Sequence, residues 1–127
     1  MNAAEYNQHF KARTKAFALA VIRLVDKTAG QSVSSDIILK QLVRSATSVA
    51  ANYRASCIAR SDKERYAKLC IVVEEADETA FWLDLLAEAF PEMAAETEPI
   101  SKESQELIRV FMAYRSKLKA HLDNPNL

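Results

Sequence analysis

The chain has 127 residues, of which 50% are hydrophobic and 27% charged, and its seventeen basic and seventeen acidic residues balance to a net charge of zero. That length suits one compact domain over residues 1–127, able to bury roughly two-thirds of its unfolded surface without a disulfide or metal staple. One glycine and three prolines are too few for a sandwich, a barrel or a glycine-rich nucleotide fold, and the charged fraction excludes both a membrane-embedded chain and a disordered tail.

Four helical segments follow in order. The first runs from about Ala4 to Ala29, with core positions Phe10, Phe17, Val21 and Leu24, and stops at Gly30, the sole glycine and a suitable C-cap. Gln31 to Ser35 is a polar connection, with Ser34 or Ser35 as the next N-cap. The second helix covers about Asp36 to Cys57 and repeats Ile38, Leu42, Val49 and Tyr53 at helical spacing. Ser61-Asp-Lys-Glu64 reads as a capping box that starts a third helix, about Asp62 to Phe90, ended by Pro91. Its core stripe is Tyr66, Leu69, Val73, Ala76, Ala80, Leu83, Ala87 and Phe90. The acidic stretch Pro91–Pro99 reads as a loop. Ser101 then caps a fourth helix to about Leu122, with core positions Leu107, Phe111, Tyr114, Leu118 and Leu122. Short connections force neighbouring helices antiparallel, so the expected fold is an all-α, up-down-up-down four-helix bundle.

The residues for most site chemistry are missing. A di-iron bundle needs inward Glu-x-x-His pairs, but Tyr6 and Leu118 stand three residues before His9 and His121. Two histidines and two cysteines scattered over the four segments give no zinc spacing, and there is no phosphate-cradling glycine loop. Glu74, Glu75, Asp77 and Glu78 point to different faces of one helix, so at most two converge. The expectation is no enzyme activity, no catalytic residue, no cofactor, no metal and no small-molecule substrate. Cys57 and Cys70 have poor disulfide geometry and read as reduced thiols. The N-terminal residues lack the pattern of a signal peptide, and no apolar run is long enough to span a membrane, so the expected compartment is the cytoplasm.

Charge is segregated. Residues 37–70 hold seven basic and two acidic residues, whereas residues 71–98 hold nine acidic residues and no basic one. On the second helix Gln41, Arg44, Ser48 and Asn52 fall on one stripe at i, i+3, i+7 and i+11, beside the apolar one. Asn is a poor interior helix residue, which points to a specific partner for Asn52. A turn near Ala59–Arg60 places residue i opposite about 119 − i, setting Arg44 against Glu75 and Gln41 against Glu78. An Arg44–Glu75 salt bridge is expected, extended by Glu74 and Glu78.

These residues carry a resemblance. Gln41, Arg44, Ser45, Ser48 and Asn52, then Arg60-Ser61, then Glu74-Glu-Ala-Asp-Glu78 with Phe81-Trp-Leu-x-Leu-Leu86, resemble the family called four helix bundle protein. Its first members were encoded in intervening sequences of bacterial 23S ribosomal RNA genes. The resemblance spans about Phe17 to Leu118. Tyr53-Arg54-Ala55 stands where many members carry an apolar residue followed by Glu-Gly. The resemblance implies a left-handed bundle, a homopentameric ring and no known enzyme activity. A relative, the accessory protein of diversity-generating retroelements, is a basic pentamer that binds nucleic acid and a reverse transcriptase.

Two surface roles follow as expectations. The first is self-association as an adaptor or scaffold. Helix one carries Ala18, Ile22, Val25 and Ala29 beside its core stripe, and Ile71, Trp82 and Leu85 lie well away from the core stripe of helix three, Trp82 nearly opposite it. A monomer would expose these, so Ile22, Val25, Ile71, Trp82 and Leu85 are the expected subunit contacts, paired heterologously into a ring or filament. The alternative is RNA or DNA binding at the hairpin between helices two and three, through Arg54, Arg60, Lys63, Arg65 and Lys68.

Overall fold

The computed structural model describes residues 1–126. Four helices fill most of that span: α1 Ala3–Thr28, α2 Val33–Cys57, α3 Asp62–Ala89 and α4 Ala94–Asp123, with a single 3₁₀ turn at Pro91–Met93. There is no strand among the described residues. Each helix packs on its neighbours in the chain, and α4 closes the ring against α1, so the four form an antiparallel bundle.

The ends of the helices follow from their side chains. Asn2 caps α1 by accepting the Glu5 amide at 2.8 Å. Past Thr28 the chain turns through Gly30, whose φ of 89° suits glycine alone, and the Gly30 amide donates to Asp36 at 2.8 Å. This turn is tight enough to start α2 earlier than its periodicity suggests. Ser32, rather than Ser34 or Ser35, is the cap, accepting the Ser35 amide at 3.1 Å. Ser61 caps α3 by accepting the Glu64 amide at 3.1 Å. The expected box is only half made, because the Glu64 carboxylate turns to Arg60 at 3.4 Å instead.

The expected loop at Pro91–Pro99 is the largest correction. Only Pro91–Met93 is a 3₁₀ turn, and α4 runs from Ala94 straight through Pro99. Ser101 therefore lies within the helix and caps nothing. Met93, Thr97, Ser104, Leu107 and Phe111 are buried, with Ile100 packed at the edge of the core, so the 4-3-4-3-4 spacing of a helix is unbroken across the proline. Pro99 has the φ a helix needs, but it lacks an amide donor and its ring crowds the Ala95 carbonyl one turn back. The burial of Met93 and Thr97 outweighs that loss.

The core is Leu39, Leu42, Leu69, Leu83, Leu86, Leu107 and Phe111 with the smaller Val21, Val49 and Val72, all essentially without solvent contact. Each such side chain contributes about 1.5–3 kcal/mol of burial. The expected core holds on α2. On α3 it is rotated toward Val72, Thr79 and Leu86, leaving Tyr66, Ala87 and Phe90 half-exposed. On α4 it thins beyond Phe111, where Tyr114, Leu118 and Leu122 are only partly buried. At that end an aromatic cluster fills the space. Phe10 packs edge-on to Phe111 with ring centres 5.4 Å apart, and Tyr53 lies 5.0 Å from Phe111. Two ion pairs staple α1 to α4: Arg13 grips Glu103 through two bonds of 2.8 and 2.7 Å, and Lys27 reaches Glu96 at 3.1 Å.

Three buried hydroxyls let helices approach closely. Thr79 sits 2.8 Å from the Ser45 hydroxyl and 2.8 Å from the Glu75 carbonyl, joining α3 to α2. Ser104 donates to the Ala76 carbonyl at 2.8 Å, joining α4 to α3. No buried side-chain nitrogen or oxygen among the described residues lacks a partner.

Candidate functional site

The polar stripe of α2 and one flank of α3 meet along the outside of the α2–α3 seam. On α2 that stripe is Gln41, Arg44, Ser48 and Asn52; on α3 it is Ile71, Glu75, Glu78, Trp82 and Leu85, again at helical spacing. All but Arg44 are half-buried. Arg44 is the hub. Its Nε donates to the Gln41 side-chain oxygen at 3.0 Å, one terminal nitrogen reaches Glu75 at 3.3 Å, and the other contacts Glu78. Glu78 also accepts the Trp82 indole N–H at 3.1 Å. Two carboxylates thus share one guanidinium, which is planar, always charged and forked to suit them.

The expected Arg44–Glu75 bridge is present and is extended by Glu78, while Glu74 points away and takes no part. Gln41 meets Arg44 rather than Glu78 directly. The partner of Asn52 is one turn back on its own helix: its amide donates to the carbonyl and the hydroxyl of Ser48, both at 2.9 Å. Ser48 and Asn52 therefore close on each other, adjoining the Arg44 network without joining it.

Trp82 is placed differently from the expectation. It does not face opposite the core; its ring packs against the edge of the core beside the Arg44 network. The rotation of the α3 core toward Thr79 and Leu86 brings position 82 in. The exposed aromatic is its neighbour Phe81, 54% accessible and edge-on to Trp82. Of the other expected contacts, Ile22, Val25, Ile71 and Leu85 are half-buried, and Val25 and Leu85 pack against the core. Phe81 stands in the family motif but is not among the expected contacts, although Glu74, Asp77, Asp84 and Glu88 flank it at helical spacing.

The hairpin's basic residues are dispersed. Arg60 is almost fully exposed and pairs with Glu64, and Arg65 folds back to donate to the Ser56 carbonyl at 3.3 Å. Arg54 turns to the α1 side, where it lines a groove with Lys11. Lys63 is exposed and Lys68 half-buried. Ser61 is committed to capping α3.

Two larger grooves flank the bundle. One of about 950 Å³ lies along α3 and α4, where Lys102 pairs with Glu98 and Arg109 with Glu106. Another of about 600 Å³ lies along α1 and α2. Among the described residues no three His, Cys, Asp or Glu side chains gather in a metal-binding group. No helix among them is long and apolar enough to cross a membrane. Burial drives the titration shifts at the aromatic end: the Tyr6 hydroxyl is pushed up to about 12, with Tyr114 adding to it, and Tyr53 is also pushed up, by burial first and neighbouring Cys57 second. Cys57 and Cys70 are both free thiols.

This arrangement is a helical bundle in which Gln41, Arg44, Ser48, Asn52, Glu75 and Glu78 line one seam while Arg60 and Ser61 sit at the hairpin. The description of the 23S rRNA-intervening sequence protein family matches residues 7–113. The chain belongs to that family. A solved structure similar to this 23S rRNA-intervening sequence protein is that of a protein of unknown function from the S23 ribosomal protein family of Bacteroides thetaiotaomicron VPI-5482. The two share 29% identity and superpose with a TM-score of 0.73, over 83% of this chain and 96% of that one. No curated protein matches the chain.

Proposed function

We propose that this 23S rRNA-intervening sequence protein is a non-enzymatic scaffold that works by assembling with copies of itself into a ring in the cytoplasm. The observation that carries the reading is the set of apolar side chains left outside a filled core. Leu19 on α1, Ile37 on α2 and Phe81 on α3 are 38%, 56% and 54% accessible, on long rigid helices whose inner faces are already satisfied. Exposed apolar side chains on a bundle whose core is already filled mark contact surfaces. The Arg44 network supports the same reading, since it holds the α2–α3 pair as one stiff unit and engages its charges internally rather than aiming them at a substrate. The two free thiols suit a reducing compartment. The resemblance read from the sequence supports five subunits.

Sedimentation or light scattering at micromolar concentration tests the proposal. The expected mass is a whole multiple of the 14.2 kDa chain, five for a pentamer. A protein that runs as a monomer at that concentration refutes it.

A further inference from the structure

Outside the α2–α3 flank the bundle carries two unmatched surfaces of opposite charge. The first is the groove of about 600 Å³ between α1 and α2. Four alanines floor it, Leu19 and Ile22 line one end, Lys11, Lys15 and Arg54 line the other, and no acidic side chain borders it. Those three cations form no ion pair among the described residues. The second is the outer stripe of α3, where Glu74, Asp77, Asp84 and Glu88 surround the exposed Phe81. None of these four carboxylates is ion-paired among the described residues, although Glu75 and Glu78 on the neighbouring flank both are.

The spacings of the two surfaces agree. Along α1, Lys15 and Lys11 stand four and eight residues from Leu19, about 6 and 12 Å at 1.5 Å per residue. Along α3, Asp77 and Asp84 stand four and three residues from Phe81, about 6 and 4.5 Å, and Glu74 and Glu88 seven residues from it, about 10.5 Å. A helix laid in the groove with Phe81 on Leu19 and Ile22 therefore brings a carboxylate to each lysine. With α3 laid parallel to α1, Asp77 meets Lys15 and Glu74 meets Lys11, and the half of the stripe from Glu74 to Phe81, about 10.5 Å, lies along the groove.

We infer that the α1–α2 groove receives the Phe81 stripe of α3 from a second copy of this chain, with Phe81 as the apolar anchor and Lys11, Lys15 and Arg54 as the counter-ions of its carboxylates. The inference rests on the scaffold reading and names its contact. Each copy offers one groove and one stripe on different faces, so the pairing is heterologous and propagates around an assembly. It replaces Trp82, Ile71 and Leu85 as the α3 contribution and retains Ile22 as the α1 contribution.

Charge reversal in two halves tests it. The groove variant carries Lys11→Glu and Lys15→Glu, the stripe variant Glu74→Lys and Asp77→Lys, and a third chain carries all four changes. All four side chains lie on the surface, so circular dichroism should match wild type. Each half alone is expected to weaken self-association by about tenfold or more, because like charges then face each other. The four-fold variant is expected to regain it. Phe81→Ser is expected to weaken association with no change in charge. An oligomeric wild type whose mass is untouched by either half overturns the pairing while leaving the scaffold reading in place, as does a four-fold variant that fails to recover when both halves dissociate. A monomeric wild type overturns the scaffold reading and the pairing together.

Discussion

Replacing Arg44 with alanine strips Glu75 and Glu78 of the one cation that pairs with them among the described residues and leaves the two carboxylates neighbouring each other. The size of the effect follows from exposure. Unit charges 3.3 Å apart, as Arg44 and Glu75 are, attract by roughly 1–5 kcal/mol between water-like and protein-surface dielectrics. Most of that is offset by desolvation and by holding two long side chains still, which leaves exposed pairs at about 0.2–1 kcal/mol. Glu75 is only 20% accessible against 48% for Arg44, so the coupling belongs near the upper end, about 1 kcal/mol. Arg44→Ala alone is expected to cost more, about 1–2 kcal/mol, because two partly desolvated carboxylates lose their partner at once. The assay is a double-mutant cycle on Arg44→Ala and Glu75→Ala in urea, at one protein concentration so that any assembly contributes equally to all four chains. The coupling should shrink in high salt as the exposed part is screened. A coupling indistinguishable from zero at low salt, with both single variants folded, refutes the reasoning.

Two further outcomes test the fold. Pro99→Ala should raise stability by about 1–2 kcal/mol, since alanine restores an amide donor inside α4, and a denaturation midpoint that falls would show that the proline sets the path of the chain there. Stability should hold up to pH 10 and decline above it, because the folded state keeps the Tyr6 and Tyr53 protons that the unfolded chain gives up near pH 10; Tyr6→Phe should make that decline shallower, with Tyr53 supplying the remainder, and an unchanged alkaline profile in the variant would refute the assignment.

Much of the architecture was legible because the chain punctuates itself plainly. Gly30, Ser61 and Pro91 mark real boundaries, and the stripe Ile38, Leu42, Val49, Tyr53 is buried throughout. The α2–α3 register was legible too, since counting from the turn set Arg44 opposite Glu75. Three features were hidden for physical reasons. Pro91, Pro99 and the three glutamates between them suggested a loop, yet the start of α4 is decided by the burial of Met93 and Thr97, a tertiary term that composition does not carry. The Arg13–Glu103 clasp joins residues ninety positions apart, beyond the reach of any hairpin count. The buried Ser45–Thr79 contact joins hydroxyls that sequence cannot distinguish from surface ones.

Helix α3 shows why the site was harder to read than the fold. It packs on α2 along one side and α4 along the other, so apolar residues occur nearly all round it and its periodicity cannot say which of them faces the core. Trp82 and Phe81, adjacent in sequence and about 100° apart round the helix, illustrate the ambiguity: both are apolar aromatics, yet one is half-buried and the other exposed. What decides it is polar. Trp82 carries an N–H that needs an acceptor in a half-buried position, and Glu78 stands one turn before it. Phe81 has no such handle and lies among four carboxylates that form no ion pair among the described residues. The same helix therefore spends one flank binding its neighbour within the bundle and leaves the other charged, apolar at its centre and unmatched. That is the condition under which a second molecule, rather than the rest of its own chain, completes the surface.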